Sequence, residues 1–324
     1  MTNYENGLAS YGFPLIGSGG FFSVRAAADK EIFFVDGTNG NDGNTGKNVS
    51  AAKKTIQAAL NLCNHDKGSY VFVGEGNYAE QITINKRGVH LIGMGAYRTS
   101  IVPASTMTAK DLVTPVISVI PLAAQPTTTQ GVEIAGIRVS GAGGYTGIYL
   151  GDGVSGDAAN ASACFIHDCI IDGSNREGLY GIVIRGGSFI RIVNNLIVSW
   201  TQAGVVIMSG STRTAYYNVV DSNWIISGGT CGVALNATAN SNIISKNIFC
   251  DDSTTAFTSC IQVAALLGGA SGGTDNVAAG NLMGSAGTNG ALLNAGDHLV
   301  GNFGRNAGND ASSYIVQTAT WGSL

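Results

Sequence analysis

The chain has 324 residues, 47 of them glycine, with 44% hydrophobic and only 12% charged side chains. Solvent-facing helices are normally dressed in charge, so a chain this poor in Asp, Glu, Lys and Arg must cover its surface with Ser, Thr, Asn and Gly, as turn-rich β structure does. Seventeen basic against 21 acidic residues give a net charge of −4 with no Lys/Arg run, which excludes the electrostatic footprint of a nucleic-acid binder.

In chain order, Met1 to Gly20 has neither a basic start nor a continuous apolar core, and no later stretch approaches eighteen uninterrupted apolar residues. Neither a secretory leader nor a membrane span is expected. Ile32 to Asp36 reads as a strand, followed by a Gly/Asn turn run from Gly37 to Asn44. Its Asx spacing is reminiscent of a calcium loop, but the twelfth position from Asp36 is Lys47 where an EF-hand needs Glu, so a turn without metal is expected. Ser50 is the expected N-cap of a helix over 53–63, with Ile56, Ala59, Leu60 and Cys63 on one face. Strands are expected at Tyr70 to Val73, Gln81 to Ile84 and Val89 to Ile92.

From there a tetrad of glycine, aliphatic, variable, aliphatic recurs as Gly147-Ile148-Tyr149-Leu150, Gly181-Ile182-Val183-Ile184, Gly204-Val205-Val206-Ile207 and Gly232-Val233-Ala234-Leu235. Weaker copies begin at Cys260 and Gly290, so the steps are 34, 23, 28, 28 and 30 residues. Between the tetrads an Asn precedes a large apolar residue, at Asn195, Asn223, Asn247, Asn281 and Asn302, with Ile137 and Cys169 in the earlier copies. Two motifs that alternate without drifting belong to one coil, and strands this short, at this period, predict a parallel β-solenoid. Inward Asn side chains stacked coil on coil would form a structural ladder, and the tetrad glycines are expected at corners of unusual φ/ψ. A short helix over the first coil would cap its open edge. The six cysteines lie mostly in apolar runs and are expected as reduced core residues; Cys164 and Cys169 do not make a CxxC pair, and no metal site or cofactor is expected.

Within each tetrad the second and fourth residues face the core. The third, namely Tyr149, Val183, Val206, Ala234, Gln262 and Leu292, should face outward. That row predicts an exposed apolar strip in need of cover, either from a loop such as Gly151 to Ala163 or from another copy of the chain.

Specific runs carry a resemblance. Phe34-Val35-Asp36-Gly37, Asn41-Asp42-Gly43-Asn44, Lys54 to Leu60, Val71 to Tyr78 and Val89 to Gly93 resemble the opening coils of pectin-lyase-like right-handed parallel β-helix proteins. The segment Tyr11 to Gly20 is similar to N-terminal arms of tailed-bacteriophage virion proteins, of the head-decoration knob and tailspike types. The fold implied is an all-β, right-handed single-stranded parallel β-helix with a short N-terminal capping helix and an extended N-terminal arm. The implied division is a docking arm at 1–30, the β-helix at 31–303 and a C-terminal tail or cap at 304–324.

On this resemblance Phe13, Pro14, Leu15, Ile16, Phe21 and Phe22 would dock the arm on the major capsid protein or another virion protein. The outward row would then be the interface of a homotrimer. The implied protein is a structural virion component on the capsid surface, made in the host cytoplasm, without nucleic-acid or membrane partners but open to host or environmental glycans. The resembled superfamily also contains polysaccharide lyases and hydrolases. The candidates for such acid/base work are Asp251, Asp252 and Asp221, which project to different places around the coil; the alternative reading is a tailspike-type depolymerase or a non-catalytic glycan-binding β-helix.

Overall fold

The structure, a computed structural model, describes residues 31–304 apart from 110–112, 122–127, 152–159, 175–176, 211–212, 237, 251–257, 264–272, 285–288 and 293–296. The docking-arm residues Phe13 to Phe22, the carboxylates Asp251 and Asp252, and the tail beyond Gly304 lie outside the described residues.

The chain visits three sheets in rotation. Sheet A has ten strands from Ile32–Val35 to His298–Val300, sheet B nine from Gly76–Ala79 to Phe303–Gly304, and sheet C eight from Ile82–Ile84 to Asn289–Leu292. Every described pairing within them is parallel and joins strands one coil apart, for instance Ile182 to Val205 and Val205 to Val233. The all-β parallel β-helix expected from the period is therefore the fold. Equivalent residues lie one strand spacing apart, about 4.8 Å, along the rod.

The tetrad columns stack as the spacing predicted: Ile148, Ile182, Val205, Val233 and Ile261 are successive partners in sheet C. They and the fourth-position residues Leu150, Ile184, Ile207 and Leu235 point into one continuous core with Ile166, Ile192, Ile197 and Ile225 from the other two sheets. Trp200 lies fully buried in this core, its indole N–H donating to Ile171 O at 3.1 Å. The tetrad glycines, expected at corners of unusual backbone, are instead within the strands, and none of Gly147, Gly181, Gly204 and Gly232 has a positive φ. They are there for space. A Cβ on Gly181 would lie 2.4 Å from Gly204 O and 3.0 Å from the Trp200 indole nitrogen.

The left-handed backbone is instead at the corners of sheet A. Gly136, Asp168, Asn194, Ser222, Lys246, Gly280 and Gly301 turn the chain from A to B, all with φ between +52° and +65°. Each of the last five is followed by a ladder Asn. The side-chain oxygen of Asn223 accepts both the backbone N–H (2.9 Å) and the Nδ2–H (3.0 Å) of Asn195, while its own Nδ2 donates to Ile192 O at 2.9 Å. Asn247, Asn281 and Asn302 repeat this pattern upward. The ladder thus satisfies backbone groups that a buried corner would otherwise orphan.

The cap is the helix α1, Ile56–Leu62, which buries Ile56, Ala59 and Leu60 and packs on the first strands of sheets A and C. It begins later than expected. Thr55 is the N-cap, its Oγ1 accepting from Ala58 N–H, whereas Ser50 lies in a separate 3-10 turn, Val49–Ala51. The Glu80 carboxylate accepts the N–H groups of Ile56 and Gln57, and Asp42 accepts those of Lys54 and Thr55, so acids on other segments satisfy this helix start. No described helix is long and apolar enough to cross a membrane.

Candidate functional site

The row Tyr149, Val183, Val206, Ala234, Gln262 and Leu292 stacks partner to partner on the side of sheet C away from the core, as expected. The exposed strip expected of it is not there. Tyr149, Val183, Val206 and Ala234 are fully buried, in a second apolar cluster with Val113, Ile120, Tyr180, Ala203, Met208 and Cys231. The Tyr149 ring folds back over Gly151, where a Cβ would come within 2.3 Å of it. Sheet C is thus sandwiched between two apolar layers, and its outer row belongs to the interior of the chain. Gln262 is part-exposed, and the side chain of Leu292 is outside the described residues.

An open apolar row exists on another face. In sheet B, Leu196, Trp224, Ile248, Leu282 and Phe303 are successive partners, one per coil, with Val198, Ile226 and Cys250 two residues on. Trp224 is 54% exposed, Leu282 48% and Phe303 60%. These are the large apolar residues that follow the ladder Asn, and the sequence carries them plainly. Further down the same columns the faces turn polar, with Arg138 ion-paired to Asp172 and Ser140 bonded to Ser174.

The outer face of sheet A brings titratable groups together. Glu133 Oε2 lies 2.6 Å from His90 Nδ1 and Glu133 Oε1 2.8 Å from His167 Nε2, while His167 Nδ1 lies 2.7 Å from Asp168 Oδ2. Tyr70 stacks on His90 at 4.2 Å between centroids, and Phe165 on His167 at 4.1 Å. Both ring nitrogens of His167 face carboxylates, an arrangement in which the protonated ring donates on both sides. Burial works against that charge, but the bonds to Glu133 and Asp168 outweigh it and hold His167 above its ordinary pKa. Burial likewise disfavours the Glu133 anion, yet the two histidines outweigh it and bring its pKa down to about 2. The chain Asp168–His167–Glu133–His90 therefore staples three coils, and Glu133 is too strongly held as an anion to exchange protons near neutrality.

Asp221 is also on this face. Its carboxylate accepts from Ser222 Oγ at 2.8 Å and Ser245 Oγ at 2.5 Å, with Lys246 Nζ at 3.5 Å. Burial raises its pKa, but these three partners outweigh that and leave it below the usual carboxylate range. Among the described residues, no three His, Cys, Asp or Glu side chains are arranged to hold a metal.

Sequence reasoning missed two features. Asn218, Asn242, Asn276 and Asp297 form a second ladder at the corner leading into sheet A, each five residues before a member of the first. The signal was available, since Asn218-Val219, Asn242-Ile243 and Asn276-Val277 repeat the Asn-apolar motif. The left-handed residues of that corner include Phe189 and Tyr217, which with Tyr216 form an exposed aromatic trio with centroids 5.1 to 5.8 Å apart.

Three parallel sheets, a coil-by-coil register and stacked corner amides define the class of parallel β-helices. Residues 124–302, more than half of the chain, match the family described as Right handed beta helix region, and the chain belongs to it. The pectin methylesterase of Aspergillus niger is similar in structure, with a TM-score of 0.50 at 14% identity over 87% of either chain. ORF18 of Geobacillus virus E2 gives 0.48 at 14% identity over 86% of this chain but 49% of its own. Pectate lyase Pel9A gives 0.48 at 15% identity over 88% of this chain and 79% of its own. No curated protein sequence matches the chain. At such identities the likeness is one of fold alone, that of the right-handed β-helix.

Proposed function

We propose that this chain is a structural virion protein of a tailed bacteriophage, a homotrimeric decoration that mounts on the capsid through residues 1–30 and projects the β-helix outward. The observation that carries the structural half of this reading is the state of the convergent acids and imidazoles. Glu133, His90, His167 and Asp168 are bonded to one another across coils, and Asp221 to its serines and Lys246, so these groups hold the rod together. Placement in the virion rests on the resemblance of Tyr11 to Gly20 and on the run of apolar residues Phe13, Leu15, Ile16, Phe21 and Phe22, for which burial against a partner would be the reason.

Deletion of residues 2–20 tests it: the expected result is loss from particles with the circular dichroism of the β-helix intact, and retained incorporation would overturn the docking arm. Incubation with capsular polysaccharide or lipopolysaccharide is expected to release no oligosaccharide. Release abolished by Asp251→Asn with Asp252→Asn would make the chain a depolymerase.

A second reading, glycan contact, is favoured by the exposed rings of Phe189, Tyr216 and Tyr217. Phe189 and Tyr217 sit in left-handed backbone, which costs an aromatic residue roughly 1 kcal/mol. Phe189→Ala with Tyr217→Ala is expected to lower retention of host polysaccharide at least tenfold, and unchanged retention would remove this reading.

A further inference from the structure

We infer that the open apolar row of sheet B, Leu196, Trp224, Ile248, Leu282 and Phe303, is where copies of this chain meet, lying side by side, parallel and coil for coil. The inference rests on the proposed trimer for the number and direction of the copies; the location of the contact comes from the structure alone.

Four observations carry it. The first is pitch. One large apolar side chain stands at every coil over five coils, so the row is straight and repeats at the strand spacing of about 4.8 Å. A second copy of the same rod has that same repeat, and its row meets this one at every step. The second is area. Aromatic side chains offer about 150–250 Å² each, so Trp224, Leu282 and Phe303, each about half exposed, present on the order of 300–400 Å² along one line. The flanking Val198, Ile226, Ile248 and Cys250, all part-exposed, extend this toward ~450 Å², which is the apolar share of a standard interface of ~800 Å² per partner.

The third is chemistry. Neither column carries a charge from Leu196 to Phe303, whereas the Arg138–Asp172 pair closes the row on the N-terminal side. An apolar row that ends at a charged pair is a docking surface with a boundary on that side. The fourth is the contrast with sheet C, whose outer row is buried by the chain itself and so is not available to a neighbour. A rotation axis parallel to the rod brings three sheet B rows together, and equivalent residues then approach one another.

The test uses the full chain. Light scattering of the wild type is expected to give three times the monomer mass, and Trp224→Arg with Leu282→Arg is expected to give the monomer mass with an unchanged circular dichroism spectrum. A trimer that survives both charges overturns the sheet B contact and leaves the trimer itself standing. A wild type that stays monomeric to high micromolar concentration overturns the trimer and this contact together. Direction is read by cysteine crosslinking. Trp224→Cys is expected to link to Trp224→Cys, and a mixture of Leu196→Cys with Phe303→Cys is expected to give no mixed dimer; abundant mixed dimer would mean antiparallel copies and would overturn the inference.

Discussion

Two rows of this molecule look alike in sequence and live in opposite environments. On sheet C, Tyr149, Val183, Val206 and Ala234 face away from the central core and are fully buried in a second one. On sheet B, Leu196, Trp224, Ile248, Leu282 and Phe303 face away from the same core, Trp224, Leu282 and Phe303 about half exposed and Leu196 and Ile248 part-exposed. Both rows are apolar, both repeat once per coil, and both alternate with inward aliphatic residues. Periodicity therefore fixes which side of a sheet a residue occupies, whereas burial depends on what packs against that side, here Val113, Ile120, Tyr180 and Met208 on sheet C.

The sharpest way to break the comparison is a charge placed in each row. Val206→Asp would bury a carboxylate with no partner and is expected to cost at least ~4 kcal/mol, read as loss of the cooperative transition in chemical denaturation. Trp224→Asp, compared with the wild type at a protein concentration where the copies are dissociated, is expected to leave that transition within ~0.5 kcal/mol, because its side chain already meets water in the single chain.

Next in size is the corner between sheets A and B. Asn247→Leu would strip the backbone N–H and Nδ2–H of Asn223 of their acceptor and Val220 O of its donor. At about 1–3 kcal/mol per orphaned group, a loss on the order of 4 kcal/mol is expected.

Smaller again is Gly181→Ala, whose Cβ would meet Gly204 O at 2.4 Å and Ile197 Cγ2 at 3.0 Å; the expected cost is ~2–3 kcal/mol with no change in association.

The smallest effect is one of pH. The folded pKa of Glu133, about 2, lies below its ordinary 4.5, so its contribution is present above pH 4.5 and lost as pH falls toward 2. His167 is raised above 6.5, so its contribution is present below 6.5 and lost as pH rises through its folded value. The staple is therefore strongest between those limits. Glu133→Gln is expected to lower the melting temperature most at pH 5–6 and hardly at pH 2, and a uniform shift at every pH would contradict the staple.

The parts of the fold that repeat were legible in the sequence, because every coil restates the same tetrad and the same Asn. Asn195 through Asn302 and the stacking of Ile148 to Ile261 follow from counting alone. The second ladder at Asn218, Asn242 and Asn276 was equally countable, since it runs five residues ahead of the first. The His90–Glu133–His167 staple was not, because its members stand 43 and 34 residues apart in coils that share no motif. The tetrad glycines were located, but their reason was not, since a sequence shows that a side chain is absent without showing whether space or backbone angle demanded it. The start of α1 moved from Ser50 to Thr55 because the acids that satisfy it, Asp42 and Glu80, come from outside the helix.

The difference between the two rows is tested most directly by thiol labelling on a Cys250→Ser background, with Val206→Cys and Trp224→Cys compared under native conditions. The thiol introduced by Val206→Cys is expected to stay unlabelled at every protein concentration, while the one introduced by Trp224→Cys labels rapidly in dilute solution and becomes protected as copies associate. Equal, rapid labelling of both positions would mean that the outer face of sheet C is open, and would contradict the account.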